Sequence, residues 1–243
     1  MNDKYTQPYR LIMPQQKRLR DAFAAVMDAS GLVFEHQIKR RDDGVLYDRL
    51  GRLPRIEARI RRPEDALNFL RMAQADVAVL GFDAVNEFNL ASSEETAFRM
   101  TRLPGVAECR LSISAKPSMW FRAPSDLSET RIVTKYPATL RSWLKQNEVE
   151  GVRIVPCAGG AEDSVDMDLA DAAFEIVETG TTLRAYGLEE KIPVIHSSAI
   201  LVARDSGNPL RASLTRALIE CLIAPPSEKP APVRIPELEP ACR

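Results

Sequence analysis

An α/β fold in two lobes is what the sequence predicts, on three observations. Its second half alternates short β-branched runs with amphipathic stretches, the order that sets helices against parallel strands through right-handed crossovers. Its 243 residues suffice for one large core or two smaller ones, and single cores rarely grow much further. Its composition, 45% hydrophobic and 28% charged, is that of an ordinary globular chain rather than a disordered or membrane one.

Residues 9–13 read as a short strand, 14–17 as a turn and 18–29 as an amphipathic helix with Leu19, Phe23, Val26 and Met27 on one side, ended by Ser30-Gly31. The stretch up to Arg62 is rich in arginine and reads as a solvated face, with alternation over 55–60 giving a half-exposed strand. Pro63-Glu64-Asp65 opens a helix that runs to Met72. Residues 75–80 form a buried strand ending at Gly81-Phe82-Asp83, a turn at the strand's carboxyl end where open α/β sheets meet ligands. An acidic connection follows over 87–96.

Strands are predicted at 109–114 and 131–134, a helix at 140–147, a strand at 152–155 and a loop or helix start at 159–166. A strand at 172–177, a helix opening at 182–185, a strand region at 192–203 and an amphipathic helix at 210–223 complete the order, with parallel pairing implied. Residues 225–243 hold six of the 17 prolines and predict an extended or disordered tail.

A net charge of −1 gives no field that favours nucleic acid or an anionic membrane as the main partner. No apolar stretch approaches the ~18 residues of a spanning helix, and residues 1–10 are polar without a signal-peptide apolar region, so a cytoplasmic location is expected. Cys109, Cys157, Cys221 and Cys242 form no CxxC pair, and only His36 and His196 add imidazoles. That argues against a structural zinc site and for reduced thiols in or near the core, with Cys242 exposed in the tail.

The most informative run is 170–184, ADAAFEIVETGTTLR. An apolar strand feeds a turn of one carboxylate, three hydroxyls and one glycine, Glu178, Thr179, Gly180, Thr181 and Thr182, and a helix starts at once. Backbone N–H groups at such a helix start face the ligand, glycine lets the backbone come close, and the threonine hydroxyls donate to phosphate oxygens. Glu175 and Glu178 would repel a bare phosphate, so the ligand should carry hydroxyls or a bound cation beside its phosphate, as a ribose 5-phosphate does. The same residues also suit a helix after a core strand, capped by Thr179 or Thr181.

With its surroundings, this run resembles the signature of the ATP phosphoribosyltransferases, the first enzyme of histidine biosynthesis. Arg131-Ile132-Val133-Thr134-Lys135-Tyr136-Pro137 is similar to that family's strand and turn, and Gly159-Gly160-Ala161-Glu162 to its glycine-glutamate loop. Leu169-Ala170-Asp171-Ala172, the segment from Ile176 to Arg184, and Ser197-Ser198-Ala199 follow the family nearly letter for letter. Weaker matches at 13–19 and 75–85 extend the resemblance to about 200 residues. The chain departs from the pattern at Gln15-Gln16-Lys17-Arg18, where the family has lysine then glycine before arginine. It departs again at Ser164-Val165, at Asp168 in place of a glycine, and at Glu175 in place of an aspartate.

The resemblance implies a two-lobed periplasmic-binding-protein-like fold with a cleft between the lobes. Lobe I would comprise 1–107 plus 190–224, and lobe II, with the phosphoribosyl pyrophosphate loop, 108–189. It implies transfer of 5-phosphoribosyl from phosphoribosyl pyrophosphate to N1 of ATP with release of pyrophosphate, without a protein nucleophile. Glu175, on the ribose hydroxyls, and Arg18, on the pyrophosphate or triphosphate, are the expected catalytic residues. Glu178, Thr179, Gly180, Thr181 and Thr182 would hold the 5-phosphate, Glu162 and Lys135 would line the same cleft, and Mg²⁺ would accompany phosphoribosyl pyrophosphate on unassigned ligands. The chain after the last helix is too short for a further packed regulatory domain, which implies a short form. Such a form would be a homo-oligomer working with a regulatory subunit resembling histidyl-tRNA synthetase. A phosphoribosyltransferase with another nucleophile, and a binding or regulatory paralogue without turnover, fit the same residues.

Overall fold

The computed structural model describes residues 8–35, 43–92 and 98–223. The proline-rich tail with Cys242, and His36, lie outside the described residues. The chain divides into two compact units. The first takes the described chain up to Leu80, the stretch ending at Leu103 and everything from Ile200; the second takes the segment that opens at Gly81 and the stretch Pro104–Ala199.

In the first unit, β1 (Arg10–Pro14), β2 (Leu32–Phe34), β3 (Asp43–Asp48), β4 (Ile56–Arg61), β5 (Val77–Gly81), β6 (Phe98–Arg102) and β12 (Ala199–Arg204) form one sheet in the order β2-β3-β4-β1-β5-β12-β6. β1 is parallel to β4 and β5, joined through α1 (Lys17–Ala29) and α2 (Pro63–Arg71), as the alternation predicts. β2, β3 and β4 are successive antiparallel neighbours, and β12 is antiparallel to β6. β4 buries Ile56, Ala58 and Ile60 and turns Glu57, Arg59 and Arg61 outward, the period-2 pattern of a half-exposed strand. Arg52 departs from the solvated face read for this stretch. It is buried, and its Nε donates to Asp48 Oδ2 at 2.9 Å and its Nη2 to Asp48 Oδ1 at 3.0 Å. α7 (Pro209–Ile223) is tied to the start of β1 by Thr215 Oγ1 and Tyr9 OH, 2.6 Å apart.

The second unit holds a five-stranded sheet in the order β11-β7-β10-β8-β9: β7 (Cys109–Ala115), β8 (Arg131–Thr134), β9 (Arg153–Pro156), β10 (Ala172–Val177) and β11 (Glu189–Ser197). β10, β8 and β9 are parallel neighbours, linked through α4 (Pro137–Gln146) and α5 (Ala161–Asp166). β7 runs antiparallel to both β10 and β11, so the sheet is mixed. Between β7 and β8 there is only a 3₁₀ turn at Pro124–Leu127, and without a crossover helix no parallel pairing is imposed. One face packs Leu111, Ile113, Ile132, Leu140, Leu144 and Phe174. The other packs Val133, Ala173 and Val177 under α5 and α6 (Thr181–Ala185), through Ala161, Val165 and Leu183.

Three expectations are corrected. The acidic connection at 87–96 is helical through Ala91: α3 (Phe82–Ala91) starts directly after β5 with Asp83 in its first turn. The strand region at 192–203 is two strands in different sheets. β11 pairs with β7 as far as Ser197, so the chain returns to the first unit there and not at residue 190. α4 starts at Pro137, where the fixed φ of proline favours a first helical turn, and not at 140.

Candidate active site

Three loops meet at the carboxyl ends of the parallel strands β10, β8 and β9, where α/β sheets gather ligand-binding groups. After β8 come Lys135 and Tyr136, after β9 Cys157 to Gly160, and after β10 Glu178 to Gly180; α4, α5 and α6 follow in turn. The Cys157 N–H donates to Thr134 O at 2.9 Å, which ties the β9 loop to the β8 strand end.

Glu175 shares a face of β10 with Ala173 and Val177, the face under α5 and α6. Its Oε1 accepts the Lys135 N–H at 2.9 Å. Burial raises its pKa above the ordinary glutamate range, and the Glu162 charge adds to the rise, while the Lys135 N–H and ammonium oppose it. Burial likewise pushes the Cys157 thiol up, with the Glu175 and Glu162 charges adding to it and Lys135 opposing. Lys135, Cys157, Glu162 and Glu175 are therefore one electrostatic neighbourhood, with two carboxylates and one ammonium.

The turn after β10 is set by Gly180 at φ +70°, a left-handed conformation that glycine adopts without a Cβ penalty. The hydroxyls of Thr179 and Thr181 are 2.9 Å apart, and Arg184 reaches back over the turn. Its Nη1 donates to Thr179 O and its Nη2 to Thr181 Oγ1, each at 3.1 Å. Glu178 and Thr182 are exposed on the same loop. The arrangement offers hydroxyls and a guanidinium to an anion, and a half-buried carboxylate to hydroxyl groups beside it.

A buried polar cluster stands behind this site; it joins Asp83, from the turn read as a ligand loop, to Tyr136 and Ser197, a pairing the sequence did not mark. Thr134 Oγ1 donates to Phe174 O at 2.6 Å and accepts the Tyr136 N–H at 2.8 Å. Tyr136 OH donates to Asp83 Oδ2 at 2.9 Å, and Ser197 Oγ donates to Asp83 Oδ1 at 2.6 Å. Burial, then the Asp83 carboxylate, holds the Tyr136 hydroxyl far above its usual pKa. One turn further along α3, Glu87 accepts the N–H groups of Ala138 and Thr139 at 2.9 and 2.7 Å, capping α4. Arg184 was also missed; its place four residues after a helix-opening glycine was the available signal.

The departures from the family pattern find local accommodation. Asp168 sits at φ +59°, the left-handed region that aspartate tolerates better than most residues, and its carboxylate meets Lys116 at 2.8 Å. Val165 fills the core between α5 and the sheet instead of facing the loop. In the first unit the opening turn leads into α1, where Arg18 lies in the first turn, Lys17 pairs with Asp21, and the Gln15 N–H donates to Arg61 O at 3.0 Å. Gln15, Ile60, Arg61, Arg62, Glu64 and Asp65 line a pocket of about 590 Å³ there. Arg18 is thus on the first unit, and the other expected site residues, Glu175, Glu178 to Thr182, Glu162 and Lys135, are all on the second. Among the described residues no group of three or more His, Cys, Asp and Glu side chains forms a ready-made metal site, and no helix is long and apolar enough to cross a membrane.

A curated ATP phosphoribosyltransferase from Maricaulis maris is 27% identical over 218 residues, covering 90% of this chain and 71% of the relative. One from Gemmatimonas aurantiaca is 29% identical over 202 residues, and there the match covers 82% of this chain and 65% of the relative. Among solved structures, the ATP phosphoribosyl transferase (HisG:HisZ) complex from Thermotoga maritima superposes with a TM-score of 0.66 at 20% identity, covering 88% of this chain and 96% of that one. The periplasmic aliphatic sulphonate binding protein SsuA from Escherichia coli superposes with a TM-score of 0.56 at 10% identity, covering 89% and 71%. These likenesses show a periplasmic-binding-protein-like fold. The family profile described as HisG: ATP phosphoribosyltransferase matches residues 62–224, which span both the capped α4 turn and the loop after β10, and the chain belongs to that family.

Proposed function

We propose that this chain transfers the 5-phosphoribosyl group of phosphoribosyl pyrophosphate to N1 of the adenine ring of ATP and releases pyrophosphate, the first step of histidine biosynthesis. The single observation that carries the reading is the pairing of a hydroxyl-rich, arginine-bridged loop with the half-buried Glu175 on the strand that feeds it. A loop for a phosphate next to a carboxylate for hydroxyls matches a ribose 5-phosphate.

In this reading the hydroxyls of Thr179, Thr181 and Thr182 and the N–H groups around Gly180 hold the 5-phosphate, with Glu178 on the same loop. Glu175 accepts from the ribose hydroxyls, and its orientation is held by the Lys135 N–H. The reaction displaces pyrophosphate from C1 with inversion and needs no protein nucleophile, so binding and charge placement supply the catalysis. On the second unit Lys135 is the cation assigned to the pyrophosphate, with Glu162 in its electrostatic neighbourhood; Arg18, on the first unit, is the residue assigned by resemblance to the pyrophosphate or triphosphate. Glu175 and Glu162, whose charges act on each other, are the residues that would hold Mg²⁺, which takes one or two carboxylates alongside substrate phosphates. When bound, the ion neutralises charge on the departing pyrophosphate. A regulatory subunit resembling histidyl-tRNA synthetase is the proposed partner, supported by the likeness to a chain from a two-component complex, and a homo-oligomer in the cytoplasm is the proposed state.

The test mixes the protein with Mg²⁺, phosphoribosyl pyrophosphate, ATP and pyrophosphatase, and follows the N1-ribosylated adenine product, with Glu175→Ala as control. Product from the wild type should fall by about 100-fold to 1,000-fold in the variant, the loss typical of one preorganised charge contact. Absence of product, with and without the regulatory subunit, would refute ATP as the acceptor.

A further inference from the structure

We infer that Asp83 is a positioning residue for Glu175, acting through Tyr136 and the turn between β8 and α4. The role rests on the reading of Glu175 as the ribose-binding carboxylate. Asp83 is only 4% exposed, and its two oxygens are each taken by a hydroxyl, from Tyr136 at 53 residues' separation and from Ser197 at 114. Ser197 Oγ in turn accepts the Asp83 N–H at 3.0 Å, so the carboxylate is fixed by its own backbone as well.

Tyr136 transmits that fixation. The residue before it, Lys135, donates its N–H to Glu175 Oε1, and the Tyr136 N–H is held by Thr134 Oγ1, which grips the carbonyl of Phe174, the residue before Glu175. The turn and the strand end before it thus bond to the Phe174 carbonyl and to the Glu175 side chain that follows it, and the far end of the turn is anchored on α3 through the phenol. The Tyr136 ring packs edge-on against Phe174 with centroids 6.5 Å apart, so a phenylalanine would fill the same space. What the hydroxyl adds is direction: it fixes the ring, and with it the amide plane that presents the Lys135 N–H to Glu175.

The experiment measures the dissociation constant of Mg²⁺-phosphoribosyl pyrophosphate by calorimetry, and the melting temperature, for wild type, Tyr136→Phe, Asp83→Asn, Glu175→Gln and the double variant Tyr136→Phe/Glu175→Gln. Tyr136→Phe is nearly isosteric and keeps the test open if Asp83→Asn fails to fold. Each of these two single variants should bind about tenfold more weakly, the effect of about one buried hydrogen bond, with the KM for ATP changed less than about twofold. In the Glu175→Gln background, Tyr136→Phe should change binding by less than about twofold while lowering the melting temperature as much as it does alone. A loss of binding that multiplies undiminished in that background, or wild-type binding by Tyr136→Phe, overturns the positioning role and leaves the function standing. Wild-type protein that binds no phosphoribosyl pyrophosphate overturns both.

Discussion

Replacing Gly180 by alanine should weaken phosphoribosyl pyrophosphate binding about tenfold, whereas Gly187→Ala, two residues past α6, should leave it unchanged. The two glycines have nearly the same backbone, φ +70° and φ +63°. An L side chain in that region costs roughly 1–2 kcal/mol, so both variants lose similar stability. At roughly 2–4 °C per kcal/mol for a chain of this size, both should melt roughly 2–8 °C lower. Their surroundings differ. A methyl group at Gly187 meets nothing within 4 Å, whereas one at Gly180 stands 3.3 Å from Arg184 Nη1. The guanidinium is the far end of a flexible side chain and must give by a few tenths of an ångström, which stretches its 3.1 Å bonds to Thr179 O and Thr181 Oγ1 beyond good hydrogen-bond length. At about 1 kcal/mol net for each hydrogen bond, losing one or two is worth about tenfold in affinity. Calorimetric titration with the Mg²⁺ complex, beside scanning calorimetry of both variants, makes the comparison. Equal affinities for the two variants would refute the argument that Gly180 and Arg184 jointly shape the loop.

Two further predictions address the carboxylate and the clasp that holds it. Thr134→Val keeps shape but strips partners from the Tyr136 N–H and the Phe174 carbonyl in a fully buried place, and should cost roughly 2–4 kcal/mol in urea unfolding; a loss below about 1 kcal/mol would contradict the clasp. Burial raises the Glu175 pKa in the folded protein, so the folded state holds this proton to higher pH than the unfolded chain does. Its contribution to stability is therefore fullest below the unfolded pKa, about 4.3, and is lost as pH rises through the raised folded value. Phosphoribosyl pyrophosphate affinity should move the opposite way, growing with pH as the carboxylate ionises. Glu175→Gln should flatten this limb of the binding profile and raise stability at neutral pH; a limb that persists in the variant assigns it to another group.

Much of the second unit was legible in the chain because its signals are local. β8, β9 and β10 are short β-branched runs, each closed within a few residues by a helix start, and the loop after β10 announces itself by composition. What escaped depends on distance. Gly81-Phe82-Asp83 reads as a turn that meets a ligand, yet folding buries the Asp83 carboxylate against a phenol 53 residues away and a hydroxyl 114 away. The antiparallel setting of β7 and the division of the last strand region between two sheets are matters of pairing, which local periodicity does not encode. α3 was hidden for another reason: its acidic residues suggest a solvated linker, yet Glu87 serves as the cap of another helix.

The place of β12 between β5 and β6 sets a waiting time during synthesis. β6 ends at Arg102 and β12 begins at Ala199, so at the usual ~5–20 residues per second the ribosome needs roughly 5–20 s to supply the strand that joins them. Through that interval β5, whose Val77 to Leu80 are fully buried in the finished protein, presents an open apolar edge to its surroundings. The second unit's sheet is complete in sequence by Ser197 and can form first, whereas the first unit closes only when β12 slides into the gap. A nascent chain stalled in that window is a natural client for chaperones that shield unpaired strands, and a message cut short before codon 199 would yield a protein with one finished half and one aggregation-prone half.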